Sequence, residues 1–326
     1  MFVVASAPAK IILFGEHFVV YGEPAIATAI NKRAQTTAQK RQDNRIYINS
    51  FDLGVSGTFA ENRFHPEKGG KKAQTKLEPT HIAVQRTLSL CRKEQTGVNI
   101  TISSNIPVAA GLGSSAAVAA ATAKAVSKLL DVQLTLEEIY QTTYEAERYV
   151  HGTPSGIDPI LATYGGVLLY QKDKGFTKLT VKTDIPLVVG DTGIKRSTGK
   201  LVTKVRQLRQ KNPETINKLI TNAGKITLRA VEAMKKGDLQ ELGELMNINQ
   251  KLLAEAGVSS EPLERLIHAA RKAGALGAKL TGAGGGGCMI ALCTPKKLIQ
   301  VAEAIENQGG KAFIAEKTDE GVKIET

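Results

Sequence analysis

Five of the six residues from Gly282 to Gly287 are glycine, and no other stretch of the chain narrows the fold so sharply. Glycine at that density serves the backbone. It reaches torsions closed to other residues and lets the main chain lie against a ligand or another segment. Gly282, Gly284 and Gly287 also satisfy G-x-G-x-x-G, the spacing of a dinucleotide-binding turn. That turn has to open a helix inside a βαβ unit. Here the apolar Cys288-Met-Ile-Ala-Leu292 follows, which reads as a strand. The dinucleotide reading is rejected, and the glycines are assigned to close backbone packing.

The rest of the pattern agrees with a mixed architecture. Phe2 to Ser6 reads as a short strand, residues 31–50 hold two strand-like stretches, and residues 54–75, rich in Gly and Lys, read as loop. Pro79 to about Arg92 reads as helix, and Val98 to Ile102 alternates as a strand. An Ala-rich run from Ala116 to Leu130 predicts a helix with serines at its start. Thr135-Leu-Glu-Glu138 is a capping box, so a second helix runs from Leu136 to His151, where Gly152 and Pro154 stop it. The second half is richer in helices, with starts at Asn212-Pro213, Asp238, Ser260 and Thr294-Pro295. Strands and helices follow no regular βαβ order, which predicts an α+β fold in two domains, 1–185 and 186–326.

Composition excludes several classes. The 326 residues include 43 Lys+Arg and 31 Asp+Glu, a net charge of +12, with 42% hydrophobic residues, so the chain is neither disordered nor collagen-like. Cys91, Cys288 and Cys293 form no CxxC, which argues against a disulfide framework or a zinc site and for a reducing compartment. There is no basic region ahead of a signal-like apolar run. The longest uncharged stretch, residues 95–123, is broken by Asn99, Asn105, Pro107 and several Ser and Gly, so no membrane helix is expected. The basic excess divides between both halves and concentrates at residues 32–45, 63–76 and 195–211. It suits either a polyanion or a solvated lysine surface, and the aromatic residues of a single-strand-binding platform are missing. No GxxxxGK[ST], GxSxG, HExxH or EF-hand loop occurs, and His65, His81 and His268 stand alone, as structural or surface residues.

Two further motifs carry chemistry. In Gly111-Leu-Gly-Ser-Ser-Ala-Ala117 two glycines precede two hydroxyls at a helix start. Free N–H groups and the helix dipole there suit a phosphate, and a serine hydroxyl can reach a metal ion on that phosphate; an ordinary Ser-capped helix fits the same letters. In Glu147-Arg-Tyr-Val-His-Gly-Thr-Pro-Ser-Gly-Ile-Asp158 a carboxylate at a helix end is followed by another beyond a Gly/Pro turn. One can ligate Mg²⁺ while the other accepts a proton or orients a hydroxyl; each also reads as a surface or cap carboxylate.

Taken together, these segments resemble the GHMP small-molecule kinases, most closely their mevalonate-phosphorylating branch. The similarity rests on Ser6-Ala-Pro-Ala-Lys-Ile-Ile-Leu-Phe-Gly-Glu-His-Phe-Val-Val-Tyr-Gly22, Gly111-Leu-Gly-Ser-Ser-Ala-Ala117, His151-Gly-Thr-Pro-Ser-Gly-Ile-Asp158 and Lys279-Leu-Thr-Gly-Ala-Gly-Gly-Gly-Gly-Cys288, in the family's order. The resemblance implies a ribosomal-protein-S5-like N-terminal domain and a ferredoxin-like C-terminal α/β sandwich, with the active site in the cleft between them. It implies ATP and Mg²⁺ as cofactors, mevalonate as substrate, no nucleic-acid or membrane partner, a cytoplasmic location and a homodimer as the assembly to test.

By the same resemblance, Asp158 is the base or hydroxyl-orienting group and Lys10 lies beside it. Ser104, Gly111, Leu112, Gly113, Ser114 and Ser115 serve the nucleotide, and Ser115 and Glu147 hold Mg²⁺. Glu16, His17, His151, Thr198 and Ala283 border mevalonate, and Lys195 and Arg196 sit at the mouth of the site. The family has Pro-Gly-Lys where this chain has Pro8-Ala9-Lys10. The alternatives are another kinase of the same superfamily (phosphomevalonate, homoserine or a sugar), a diphosphomevalonate decarboxylase, a catalytically dead regulator or a basic nucleic-acid-binding protein.

Overall fold

The computed structural model describes residues 2–61, 63–107, 111–152, 154–181, 183–194 and 198–325, without the side chains of Thr198 and Lys200. The chain opens with β1 (Phe2–Phe14), a short 3-10 turn (Phe18–Tyr21) and β2 (Ala25–Lys40). There follow β3 (Ile46–Ser50), β4 (Val55–Ala60), β5 (Arg63–Lys68), α1 (Lys72–Leu90) and β6 (Val98–Ser104). Next come α2 (Ser114–Leu129), α3 (Leu136–His151), α4 (Ile157–Tyr164), β7 (Val167–Gln171) and β8 (Gly175–Leu179). The second half runs β9 (Leu187–Asp191), α5 (Thr198–Lys211), α6 (Pro213–Lys236), α7 (Leu239–Glu255) and α8 (Glu261–Lys272). It finishes β10 (Gly277–Leu280), β11 (Cys288–Leu292), α9 (Leu298–Glu306), β12 (Lys311–Ala315) and β13 (Lys323–Ile324).

Two sheets result. The first has the order β13-β1-β2-β6-β3-β4-β5, with β7 on β2 and β8 on β7. One edge of the long β2 runs along β1, and the other serves β7 at Ala25–Thr28 and β6 at Ala34–Lys40. All these pairs are antiparallel except β3 with β6. The second sheet is antiparallel, in the order β10-β11-β9-β12. The last strand, β13, returns to the first sheet and pairs with β1 at Ala5 and Ser6. Arg33 secures that return, donating from Nη2 to the carbonyl oxygens of Ser6 at 3.1 Å and Gly321 at 2.6 Å.

The Ala-rich helix explains how the first domain is layered. In α2, Ala116, Ala117, Ala119, Ala120, Ala121, Ala123 and Ala125 are all buried. A helix apolar on every side belongs in the interior. α2 lies across β1 and β2, between α1 and α3, and its methyl side chains let these layers approach closely.

The loop expected over residues 54–75 is instead the β4–β5 hairpin and the start of α1. β5 is the exposed outer strand, carrying Arg63, His65, Pro66, Glu67 and Lys68, so its letters look like loop. Charge and proline on an edge strand keep it from pairing with other chains. α1 also starts earlier than Pro79, which lies inside it and removes one helical hydrogen bond. β1 runs past Ser6 to Phe14, tolerating Pro8 at a register shift between Pro8 and Ala9.

All three cysteines are buried and unbridged, and burial pushes the Cys293 thiol up to about 12, so that thiol is inert at neutral pH. His81 stacks on Phe59 with ring centroids 3.9 Å apart and pairs with Glu78, while His65 and His268 are exposed. No helix of the described residues is long and apolar enough to cross a membrane.

Candidate active site

The register shift at Pro8/Ala9 re-aims β1 just before Lys10, which pairs with Ala29 of β2. Ala9 lies fully buried in the core and is not among the residues with positive φ, so its methyl group is accommodated without strain. The Lys10 side chain is nearly buried, and its Nζ lies 3.1 Å from Asp158 Oδ1. Its backbone N–H donates to Leu112 O at 2.9 Å, tying β1 to the glycine loop ahead of α2.

That loop meets the same pair. Gly111 and Gly113 have φ of 76° and 74°. A Cβ on Gly113 would stand 2.9 Å from Lys10 Cγ and 3.4 Å from Asp158 Oδ2, so glycine is what lets the loop touch the pair. Gly113 is the N-cap of α2 with no side-chain cap, and Ser114 and Ser115 form the first turn. The serines therefore do not cap this helix, which removes the bland reading of the motif. The first N–H groups are left for an anion. Ser104, Ser114 and Ser115, with Ser50, Asp52, Lys76 and others, line an adjoining cavity of about 200 Å³. A volume of that order suits part of a nucleotide.

Behind Ser115 stands Glu147, in the last turns of α3, with its side chain 3% exposed. Its carboxyl is pushed up to about 7, first by burial and then by the charge of Asp158; the Ser115 hydroxyl and Lys10 act the other way. Oε1 of Glu147 has no hydrogen-bond partner among the described residues, while Oε2 lies 3.5 Å from His151 Nε2. A buried carboxylate with an orphaned oxygen, next to a hydroxyl at a helix N-terminus, fits a divalent cation carried in with a nucleotide. Among the described residues no cluster of three or more His, Cys, Asp or Glu could hold a metal alone. Asp158 itself is the second residue of α4, not a turn residue, and Pro159 sits in the first turn, where its missing N–H costs nothing.

The pKa of Glu147 makes a measurable prediction for the ligand-free chain. Its folded value lies above the ordinary 4.5, so its stabilising contribution is full below about pH 4.5 and is lost as pH rises through about 7. The whole shift corresponds to about 3 kcal/mol. Glu147→Gln is expected to raise the thermal midpoint of the ligand-free chain above pH 7, with the gain shrinking toward pH 5. Melting curves that shift in parallel across pH 5–8 would show that the burial argument fails.

The other end of the site joins the two halves of the chain. Gly15 (φ 91°) and His17 (φ 61°) turn the main chain sharply around Glu16. Glu16 forms an ion pair with Lys279 of β10, both side chains fully buried. Burial pushes the Glu16 carboxyl up and the Lys279 ammonium down, and each charge opposes the other's shift. His17 Nε2 lies 2.7 Å from Ala283 O, and the Thr281 hydroxyl donates to Ile12 O at 2.9 Å. The glycine run packs on neighbouring backbone: a Cβ on Gly284 would stand 2.2 Å from Val258 O, and one on Gly286 2.8 Å from Ile194 O.

Comparison with known proteins agrees with this geometry. Residues 81–166 match the GHMP kinases N terminal domain, and residues 230–311 the GHMP kinases C terminal domain. The chain is 47% identical to the mevalonate kinase of Thermococcus gammatolerans, over 100% of this chain and 99% of that one. It belongs to the GHMP kinases, in their mevalonate kinase family. Among solved structures it is similar to the L. major mevalonate kinase in complex with R-mevalonate (TM-score 0.84, 31% identity, 97% of this chain and 96% of that one). The mevalonate kinase of Methanococcus jannaschii gives a TM-score of 0.83 at 29% identity, over 98% of both chains. The two-domain α+β expectation stands as a GHMP kinase fold.

The structure brings Lys10, Gly113, Ser115, Glu147 and Asp158 into one group, and Glu16, His17 and Ala283 into a second, with the Lys10 charge acting on Glu16. His151 is exposed beside Glu147. Lys195 and Arg196 lie outside the described residues, and Thr198 is described only as the first residue of α5. Farther along that basic stretch, Lys204 donates to Gly257 O at 2.8 Å beyond the end of α7, and Arg209 stacks 4.9 Å over Tyr21. These two charges serve the fold. The reading of residues missed Lys279. The signal was present: it is the single charged residue between Lys272 and Lys296. A lone lysine in an apolar, glycine-rich stretch has to find a carboxylate.

Proposed function

We propose that the chain transfers the γ-phosphoryl group of ATP to the 5-hydroxyl of mevalonate, giving 5-phosphomevalonate. The observation that carries this reading is the Lys10–Asp158 pair at the glycine loop, in a chain similar over its whole length to mevalonate kinases. The L. major relative is described as bound to R-mevalonate. In this reading Asp158 Oδ1 or Oδ2 takes up or orients the hydroxyl proton. Lys10 stabilises the oxygen as it gains negative charge, so proton transfer follows bond formation. The N–H groups at the start of α2 hold the phosphates in line with that oxygen. Ser115 and Glu147 are the residues that would hold Mg²⁺, which would supply positive charge to the transferring phosphates. Glu147 would have to be ionised for that role, against the burial that pushes its carboxyl up.

The same reading divides the chain into an N-terminal domain over 1–185 and a C-terminal domain over 186–326, with β13 returned to the first. It assigns Ser104 and the 111–115 loop to the nucleotide, and Glu16, His17, His151, Thr198 and Ala283 to the acceptor. It sets the reaction in the cytoplasm, within lipid metabolism. Release of ADP should be measured with mevalonate, phosphomevalonate, homoserine and galactose as acceptors. Mevalonate is expected to give the highest kcat/KM; no turnover with it would refute the proposal.

A further inference from the structure

Four of the chain's seven tyrosines, Tyr140, Tyr144, Tyr164 and Tyr170, gather around the turn that leads into α4. Tyr144, Tyr140 and Tyr164 form a row along the seam between α3 and α4, with ring centroids 6.1 and 6.5 Å apart. The Tyr164 hydroxyl, at the end of α4, donates to Glu137 Oε2 in the first turn of α3 at 3.2 Å. At the opposite end of the seam, the Tyr144 hydroxyl donates to the Pro154 carbonyl oxygen at 3.4 Å. Two residues on, Gly156 (φ 85°) is the N-cap of α4, with no side-chain cap. A Cβ there would stand 3.2 Å from Tyr140 Oη and 3.2 Å from Phe176 Cζ. Phe176 in turn rests on Tyr170, with centroids 4.7 Å apart. Ile157 N donates to Ser155 Oγ at 3.4 Å, but that bond is internal to the turn. The aromatic side chains are what tie the turn to α3 and β8.

Asp158 lies two residues beyond Gly156, in the first turn of α4. Whatever sets the entry of the chain into α4 also sets where this carboxylate stands, against Lys10 Nζ at 3.1 Å and against an acceptor oxygen. A misplacement of about 1 Å can cost about 100-fold in rate. We propose that Tyr144 is a positioning residue for Asp158: with Tyr140 and Phe176 it fixes the Pro154–Gly156 turn and so aims the carboxylate. This inference rests on the proposed role of Asp158 in transfer to an acceptor hydroxyl. A tyrosine suits the task because its ring packs along the seam while its hydroxyl reaches main chain. Phenylalanine would keep the packing and leave the Pro154 carbonyl without this donor. Tyr144 also sits one turn before Glu147 on α3. That helix therefore serves both carboxylates of the site, carrying Glu147 directly and steadying Asp158 through the turn.

The test is a double-mutant cycle on kcat with mevalonate and ATP, using wild type, Tyr144→Phe, Asp158→Ala and the double variant. Tyr144→Phe is expected to lower kcat by about 3- to 10-fold, the factor that one neutral hydrogen bond supports. KM for ATP should stay within about twofold, because the start of α2 is untouched. In the Asp158→Ala background the same substitution should change nothing further, since the group it acts through is gone. Tyr164→Phe is the control: it removes a hydroxyl at the far end of the seam and should keep kcat within about twofold. Wild-type kcat in Tyr144→Phe overturns the inference. So does an equal loss in the Asp158→Ala background or in Tyr164→Phe, since either marks a general loosening of the seam. A rise in KM for ATP overturns it as well, by showing that Tyr144 acts on Glu147 instead. A wild-type chain inactive on mevalonate overturns both this and the proposed function; an active wild type with an indifferent Tyr144→Phe overturns this inference alone.

Discussion

Asp158→Ala is expected to lower kcat by about 10²- to 10⁴-fold, the span usual for loss of a positioned acid–base group, with KM for ATP little changed. On the proposed mechanism the acceptor oxygen would lose the group that aligns it and takes its proton, while the N–H groups at the start of α2 would stay in place for the phosphates. Lys10→Met is expected to cost a comparable amount, because a cation is removed from beside the developing negative charge. The two side chains touch at 3.1 Å, so their effects belong to one unit. The double variant should be scarcely slower than the slower single variant. Circular dichroism should remain that of wild type in both singles, since Asp158 is a quarter exposed at the start of a helix. Near-full kcat in Asp158→Ala would remove it from the chemistry.

The second large effect concerns stability. Gly284→Ala puts a methyl group 2.2 Å from the Val258 carbonyl oxygen, at a φ of +74°. The obstruction is backbone, and Gly285 N–H already donates to that same oxygen at 2.8 Å, so neither side can move without breaking the contact. A loss of at least about 3 kcal/mol is expected, which lowers the thermal midpoint by roughly 6–12 °C. Gly309→Ala is the control. It too has a positive φ, +82°, but nothing stands within 4 Å of its Cβ, so only the torsional strain of about 1–2 kcal/mol remains. Equal losses in the two variants would mean that the close approach at Gly284 contributes nothing.

Features set by a few adjacent residues were readable from the letters. The Thr135–Glu138 capping box and Gly152 bound α3 at Leu136 and His151, as observed. The strand after the glycine run is β11, which upholds the rejection of a dinucleotide turn. The resemblance to the GHMP kinases implied that Lys10, Ser115, Glu147 and Asp158 share one site, and the structure brings them together. Features set by tertiary packing were not readable. β5 has a polar composition because it is an edge, and β1 continues through Pro8 because a register shift accommodates it. The serines of the loop looked like caps, and only the backbone shows that Gly113 takes that position. The Glu16–Lys279 pair spans 263 positions, so no local pattern joins its members.

The return of β13 to β1 bears on how the chain is made. During synthesis the N-terminal residues emerge first, yet the outer edge of β1 at Ala5 and Ser6 finds its neighbour only at Lys323 and Ile324. Until then that edge offers unpaired N–H and C=O groups, and Arg33 lacks the Gly321 carbonyl it later holds. The first sheet is therefore closed by residues made about 300 positions after its first strand. Its completion has a long loop to close, and a nascent chain stalled before Gly321 exposes a strand edge that other chains can pair with.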